Sequence, residues 1–314
     1  MNGLEGLKEN SLELILFGGK GGVGKTTCAC ATALYLAEDF KTLLFSTDPA
    51  HSLADSLGQE IGDQIKEVTG IKRLSALEIN SEKALAKFKI EHEAQIKKII
   101  DTGTNLDTED IDSILALPIP GMDEVMGFKT MIDLVDEAVF DKYVVDTAPT
   151  GHALRLLSSP MLLDDWIKVM AKMRWKYRYM VATFAGKYNP DEGDDFLLTM
   201  KKTVRRIEDL LRDQNRSEFI AVTIAEDMAI AETERLINSL SKYGIKVKQL
   251  VINNVLKSDD CEFCRGKRKE QEKYISYIRK KFGDLRMTII PSQPQEVKGI
   301  MALEDFKKHL FDQQ

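Results

Sequence analysis

Four cysteines, four histidines and two tryptophans in 314 residues leave little scope for several kinds of chemistry. A disulfide framework needs bridges spread along the chain, and Cys28, Cys30, Cys261 and Cys264 are too few and too clustered to staple one of this length. Proline is sparse at eight residues and no tract is low in complexity, which excludes collagen-like and proline-rich architectures. No segment approaches the ~20 uninterrupted apolar residues of a membrane-spanning helix, and the opening MNGLEGLKEN lacks the basic-then-apolar layout of a signal peptide. The expected location is cytoplasmic. Excess positive charge is also missing. With 44 basic and 50 acidic side chains the net charge is −6, which disfavours wholesale wrapping of nucleic acid or anionic membrane. What remains is 43% apolar and 30% charged, the balance of a globular protein with a sizeable core.

Short apolar runs at 12–17, 42–45, 74–79, 143–145, 219–224, 247–252 and 287–290 read as buried strands. Each is separated from the next by enough chain for a crossover helix, so the pattern predicts an α/β fold with a mainly parallel sheet and helices on both faces. Residues 81–130 and 152–212 break the rhythm: they hold no convincing strand and are rich in helix formers. They are expected to form a helical subdomain inserted into a core built from 1–80, 131–151 and 213–314. Within the second interval Leu163, Trp166, Ile167 and Met170 fall at i, i+3, i+4 and i+7, and Met200, Val204, Ile207 and Leu211 nearly repeat the spacing. The stretch 187–195 carries glycine, proline and acids and reads as a mobile connection.

Gly19-Lys20-Gly21-Gly22-Val23-Gly24-Lys25-Thr26 satisfies the phosphate-loop pattern GxxxxGK(S/T), between a predicted strand and the apolar helix 28–37. Glycines let successive N–H groups turn inward around phosphates, and the helix amino terminus adds a favourable dipole. Lys25 then reaches the terminal phosphates and Thr26 offers a hydroxyl to Mg²⁺. Asp48 follows the second strand, where a carboxylate is placed to orient an attacking water. Asp146 follows a later strand, where it is placed to hold Mg²⁺ through water. No NKxD follows the late strands, so adenine is favoured over guanine. A P-loop NTPase fold binding ATP and Mg²⁺ is the expectation.

Lys20 is a second lysine inside the loop, the deviant form of Walker A. The segment GGKGGVGKTT resembles the dimeric NTPases that include the arsenite-pump, septum-site and partition ATPases and the nitrogenase iron protein. Asp48-Pro49-Ala50-His51-Ser52, Pro120-Gly121-Met122-Asp123-Glu124 and the run DTAPTGHALRLL from Asp146 narrow the resemblance to the arsenite-pump ATPase family. The chain as a whole, from about Leu12 to near its end, resembles the branch that targets tail-anchored membrane proteins, in an archaeal or eukaryotic-type form. That resemblance implies an Mg-dependent ATPase working as a homodimer, which could pair further. Its groove would shield the transmembrane segments of tail-anchored proteins and hand them to a membrane receptor. It implies that Asp48 is the catalytic aspartate and that Lys20 reaches the partner's nucleotide in the manner of an arginine finger. Thr27 completes the nucleotide-binding run, with Glu226, Asn253 and Pro291 matching further nucleotide contacts, Pro291 in the adenine pocket. An arsenite-stimulated pump subunit is the first alternative, but there is no cysteine from 153 to 260 and only one ATPase half. A partition or septum-positioning ATPase is the second.

Cys261 and Cys264 have the spacing of a metal-ligand pair, half the four ligands of structural zinc. Two chains meeting at a two-fold axis would complete one Zn²⁺ site per dimer; a redox pair is the rival reading. Eight of twelve methionines lie between Met122 and Met200, against about three for a uniform spread. Either they line an adaptable groove for apolar helices or they fill an irregular core. With the resemblance, Trp166, Met170, Met173, Met180 and Met200 become the expected lining. The basic run 265–281 reads as a solvated helix rather than a nucleic-acid patch.

Overall fold

The computed structural model describes residues 4–47, 52–103, 109, 122–147, 150–185, 190–258 and 260–312. The chain divides into two compact units, one of residues 1–80, 133–154 and 210–314 and one of 81–132 and 155–209.

The first unit is built on an eight-stranded sheet. In chain order the strands are β1 Leu14–Gly18, β2 Thr42–Ser46, β3 Lys66–Glu67, β4 Leu74–Glu78, β5 Lys142–Asp146, β6 Ser217–Ile224, β7 Val247–Val255 and β8 Arg286–Pro291. Their spatial order is β3-β4-β2-β5-β1-β6-β7-β8, every pairing parallel except the short β3 on β4. The five residues of β1, β2, β4 and β5 are all buried, which is why they read as apolar runs rather than alternating ones. The α/β expectation holds, with β3 as the unforeseen element: two exposed polar residues carry no hydrophobic signal.

Helix α1, Lys25–Ala37, lies in this unit's core with Cys28, Ala29, Cys30, Ala31 and Ala33 fully buried. Its small side chains let the backbone approach the sheet, and α9, Ile300–Phe311, closes over it with Leu303, Phe306 and Leu310. Tyr35 and Phe311 stack with ring centroids 3.8 Å apart. Buried apolar side chains of this size each contribute roughly 1.5–3 kcal/mol relative to exposure. The chain start is fastened to the far end of the sheet. Lys142 donates to the carbonyls of Glu9 and Leu12, and the Gln249 amide accepts from Glu5 N and donates to Glu5 O. The unit's other helices are α2 Ser52–Leu57, α7 Asp227–Lys242 and α8 Glu262–Lys281.

The second unit takes α3 Ser81–Gly103, most of α4 Met122–Asp136, most of α5 Thr150–Ala185 and most of α6 Glu192–Arg212. Phe88, Ile96, Ile99, Leu163, Ile167, Phe196 and Val204 pack in its core. Met170 and Met200, expected in a groove, are 6% and 2% exposed and sit in this core, with Trp166 and Met173 packed against it. Helical periodicity marks an apolar face without saying what covers it, and here the neighbouring helices do. Met180 is 48% exposed.

Of the connection read as mobile, residues 187–189 lie outside the described residues, but 191–195 are held. Arg174, 1% exposed on α5, pairs with Asp191 and sits 3.5 Å from Asp194, while Lys98 of α3 is 3.4 Å from Asp191. Asp191 also accepts from Gly193 N at 2.9 Å, starting α6. Burial pulls the Asp191 carboxyl up, but Arg174, the Gly193 N–H and Lys98 outweigh it and leave it below the usual carboxylate range. The network therefore stabilises at neutral pH and fades as pH falls through that lowered value. Arg174→Met should destabilise this unit by about 3 kcal/mol, the low end for breaking a buried pair because Asp191 keeps some water and Lys98. Urea unfolding followed by the unit's tryptophans, Trp166 and Trp175, checks this; a change under about 0.5 kcal/mol would contradict it.

Candidate nucleotide site

The parallel register brings the carboxyl ends of β1, β2, β5 and β6 to one edge: Phe17 lies opposite Asp146 and Ile220, and Ser46 opposite Asp146. Loops that leave such an edge where chain direction splits on either side of a central strand are where α/β sheets bind ligands. The glycine-rich loop connects β1 to α1 there. Gly24 has φ +93°, and a Cβ on it would lie 2.3 Å from Asn253 Nδ2. At Gly19 a Cβ would lie 2.1 Å from the Val222 carbonyl oxygen. Both positions are closed to any side chain, one through strand β6 and one through β7. Asn253 Nδ2 donates to Val23 O at 2.9 Å, clamping the loop from β7.

The loop's shape fits an anionic ligand. The α1 N-cap is Gly24, with no side-chain cap bond and no acid in the first turn, so the positive helix end has no carboxylate of its own there. Lys25 is 6% exposed and bends back to the Lys20 carbonyl at 3.2 Å, across the mouth of the loop. Lys20 and Thr27 are half-buried.

Behind the loop, Thr26 Oγ1 donates to Asp146 Oδ2 at 2.7 Å, joining residues 120 apart in the chain. Asp146 is fully buried. Ser46 Oγ reaches the same carboxylate at 3.4 Å, and Thr47 N donates to Asp146 O at 3.1 Å. A hydroxyl and a carboxylate side by side beneath a phosphate cradle are an all-oxygen donor set suited to Mg²⁺, so the residues present fit that ion. Burial, with the nearby Asp146 charge, pushes the Cys28 and Cys30 thiols well up, so both remain neutral core groups.

Asp48, the expected catalytic aspartate, lies outside the described residues. The chain around it is anchored on both sides, by the Thr47 bond and by Glu78, which sequence reading did not single out. Glu78 is 5% exposed at the end of β4, and its Oε1 accepts from Leu53 N and Ala54 N at 3.1 Å each, holding the start of α2. An acid at the strand edge facing a helix start was the available signal. Glu226 is the N-cap residue of α7 beyond β6, beside a cavity of about 510 Å³ shared with Phe263 and Tyr274. Pro291 ends β8 opposite Val255, next to Asn254, whose Oδ1 accepts from Ser292 Oγ at 2.6 Å. Unlike Asn253, these two positions are not tied to the loop by a side-chain hydrogen bond among the described residues.

Cys261 caps α8, its sulfur accepting from Cys264 N at 3.2 Å, and the two sulfurs are 3.0 Å apart. The bond from the Cys264 side chain, aided by backbone N–H groups, lowers the exposed Cys261 thiol below its ordinary value. Both thiols therefore address one point at the surface. Among the described residues no group of three or more histidines, cysteines or acids gathers there or elsewhere to hold a metal.

A phosphate loop closed by β6 and β7, a lysine across its mouth and a Thr–Asp pair behind it define a P-loop nucleotide hydrolase. Residues 12–312 match the family described as anion-transporting ATPase, and the chain belongs to that family. It is similar to ATPase ASNA1 homolog 1 of Paramecium tetraurelia, 36% identical over 310 residues covering 96% of this chain and 92% of the relative. It is also similar to ATPase get3 of Aspergillus niger, 33% identical over 317 residues covering 98% of this chain and 92% of the relative. The branch that the sequence blocks resemble is thus the branch these relatives occupy, and the chain is an ATPase that uses ATP and Mg²⁺.

Proposed function

We propose that the chain works in the cytoplasm as a homodimeric targeting ATPase that shields the transmembrane segments of tail-anchored proteins and delivers them to a membrane receptor. The observation that carries this is a P-loop site in one unit together with several exposed apolar side chains on α5. Val169, Trp175, Tyr179, Met180 and Phe184 are between 48% and 89% exposed, more apolar surface than a helix needs for its own packing. Of the lining expected from the sequence, Met180 is the exposed member, and Trp175, Tyr179 and Phe184 are exposed on the same helix. No described helix is itself long and apolar enough to cross a membrane.

Bound ATP supplies the phosphoanhydride and Mg²⁺ neutralises its charge. Lys25 holds the terminal phosphates, Thr26 and Asp146 hold the metal side, and Asp48 orients water toward the terminal phosphate. Lys20 reaches across the dimer, and Glu226, Asn253 and Pro291 contact the nucleoside. Closing the dimer on ATP requires a preference of a few kcal/mol between two states, within reach of such contacts.

Co-expression with a tagged protein carrying a C-terminal transmembrane segment, beside the same protein without it, tests the reading. Soluble complex should form only with the tail. Equal capture of both, or of neither, while ATPase activity persists, would count against it.

Cys261 and Cys264 from two chains would hold one Zn²⁺. The purified protein should carry one zinc per two chains by elemental analysis, and Cys261→Ser should lose it and weaken the dimer in sedimentation. One zinc per chain, or a metal-free dimer of unchanged strength, would refute the shared site.

A further inference from the structure

Asn253, which clamps the phosphate loop from β7, stands at a break in the sheet. The pairing of β7 with β8 keeps register as far as Ile252 opposite Ile289, then shifts and resumes at Val255 opposite Pro291, so this ladder skips Asn253 and Asn254. On its other side Asn253 lies opposite Ile224 of β6. Asn254 is in the left-handed region at φ +58°, a conformation that asparagine tolerates better than most residues. Such an irregularity re-aims a side chain at the expense of ladder hydrogen bonds, so the backbone groups of the turn have to be satisfied from outside the ladder.

Helix α8 supplies that hold through one side chain. Gln271 is 5% exposed; its Oε1 accepts from Leu256 N at 2.8 Å and its Nε2 donates to Asn254 O at 3.0 Å. An N–H can only donate and a carbonyl can only accept, so the two partners fix the amide's orientation and use both of its ends. The turn is gripped from β8 as well. Asn254 Oδ1 accepts from Ser292 Oγ at 2.6 Å, and Ser292 N donates to Val255 O at 2.9 Å. Gln271 does this from a lightly seated helix: of the twenty residues of α8, only it, Ile275 and Ile278 are buried. Cavities of about 510 Å³ and 380 Å³ border the helix, and Gln271 lines both. A buried amide placed between two cavities, with both ends bonded to the turn behind Asn253, supports the nucleotide loop more than it supports its own helix.

We propose that Gln271 is a positioning residue for nucleotide binding: by fixing the backbone at 254–256 it holds Asn253 against Val23 O and so sets the shape of the phosphate loop. The inference rests on the nucleotide-binding role given to Asn253 above and deepens it, extending the support of the site to α8.

The test uses the full chain and a fluorescent ATP analogue. Gln271→Leu is close in size and leaves Leu256 N and Asn254 O without their side-chain partner. It should weaken binding of the analogue by about tenfold and leave single-turnover hydrolysis at saturating ATP within about twofold, because a contact made alike in the ground and transition states raises KM without lowering kcat. Asn253→Ala should do the same. The double variant should lose about tenfold in all, not the roughly hundredfold that independent sites would give, because Gln271 acts through Asn253. Ser292→Ala removes an exposed hydrogen bond on the other side of the turn. It should weaken binding about twofold and add nothing to Asn253→Ala, which keeps the test decisive if circular dichroism shows that Gln271→Leu does not fold. Losses that multiply with that of Asn253→Ala, or a Gln271→Leu protein with a lowered melting temperature and unchanged affinity, would make the turn's supports purely structural and overturn the inference, with the role of Asn253 left standing. Unchanged affinity in Asn253→Ala itself would remove Asn253 from the site and the inference with it.

Discussion

Lys25→Met should lower ATP turnover by about 10³-fold and weaken nucleotide binding by at least tenfold, while leaving the fold nearly as stable. Removing a single preorganised donor from a transition-state oxyanion typically costs about 10²–10³ in rate. In the proposed role Lys25 does more, because it would meet the charge of ATP in the ground state as well as the charge that develops on transfer. Its surroundings make the loss hard to replace. The first turn of α1 has no other basic residue, and Lys25 is the buried ammonium that lies across the mouth of the loop. Methionine keeps the unbranched apolar stem, so the packing beneath it survives. Phosphate release, binding of a fluorescent ATP analogue and the melting temperature separate the three effects. Turnover within tenfold of wild type would mean that the loop is not the catalytic phosphate cradle.

Asp48→Asn is expected to behave differently, with turnover reduced by roughly 10²–10⁴ and nucleotide affinity held within about threefold. An amide keeps the size and most hydrogen bonds of the carboxylate but cannot accept a proton from water or stabilise one partly transferred. The split between rate and binding follows from position. In the proposed site the phosphates would be held by the loop and α1, whereas Asp48 follows β2, between the Thr47–Asp146 bond and the Glu78 cap on α2. Equilibrium binding and single-turnover kinetics read the two quantities separately. Loss of binding equal to the loss of rate would remove Asp48 from its assigned role and make it part of the cradle.

Strands buried on both faces were legible because burial demands continuous apolar runs, and the glycine loop because backbone wrapping demands glycine in a fixed pattern. The reasons for individual glycines were not legible. Gly19 is fixed by Val222 and Gly24 by Asn253, contacts more than two hundred residues apart in the chain for both. Thr26 and Asp146 were each identifiable from their motifs, but their hydrogen bond depends on β5 lying next to β1, an order that local pattern does not state. Glu78, Ser46 and Thr47 looked like ordinary polar residues at strand ends; only the fold turns them toward α2 and Asp146. The acids near 191–195 suggested a loose solvated loop, because nothing in the sequence pairs Arg174 with them. Methionine spacing showed that α5 and α6 have apolar faces. It could not say that Met170 and Met200 face inward while Met180 and its aromatic neighbours remain exposed.

The central claim is that nucleotide state and tail binding are coupled in one molecule, and the most direct measurement is tail affinity in two nucleotide states. A fluorescent transmembrane peptide, presented in mild detergent, is titrated with the purified protein holding a non-hydrolysable ATP analogue with Mg²⁺ and again holding ADP. A coupling of about 1.4 kcal/mol or more predicts at least a tenfold tighter Kd in the ATP-like state. Equal affinity in the two states would contradict the account, because a ligand that binds both states alike can shift neither.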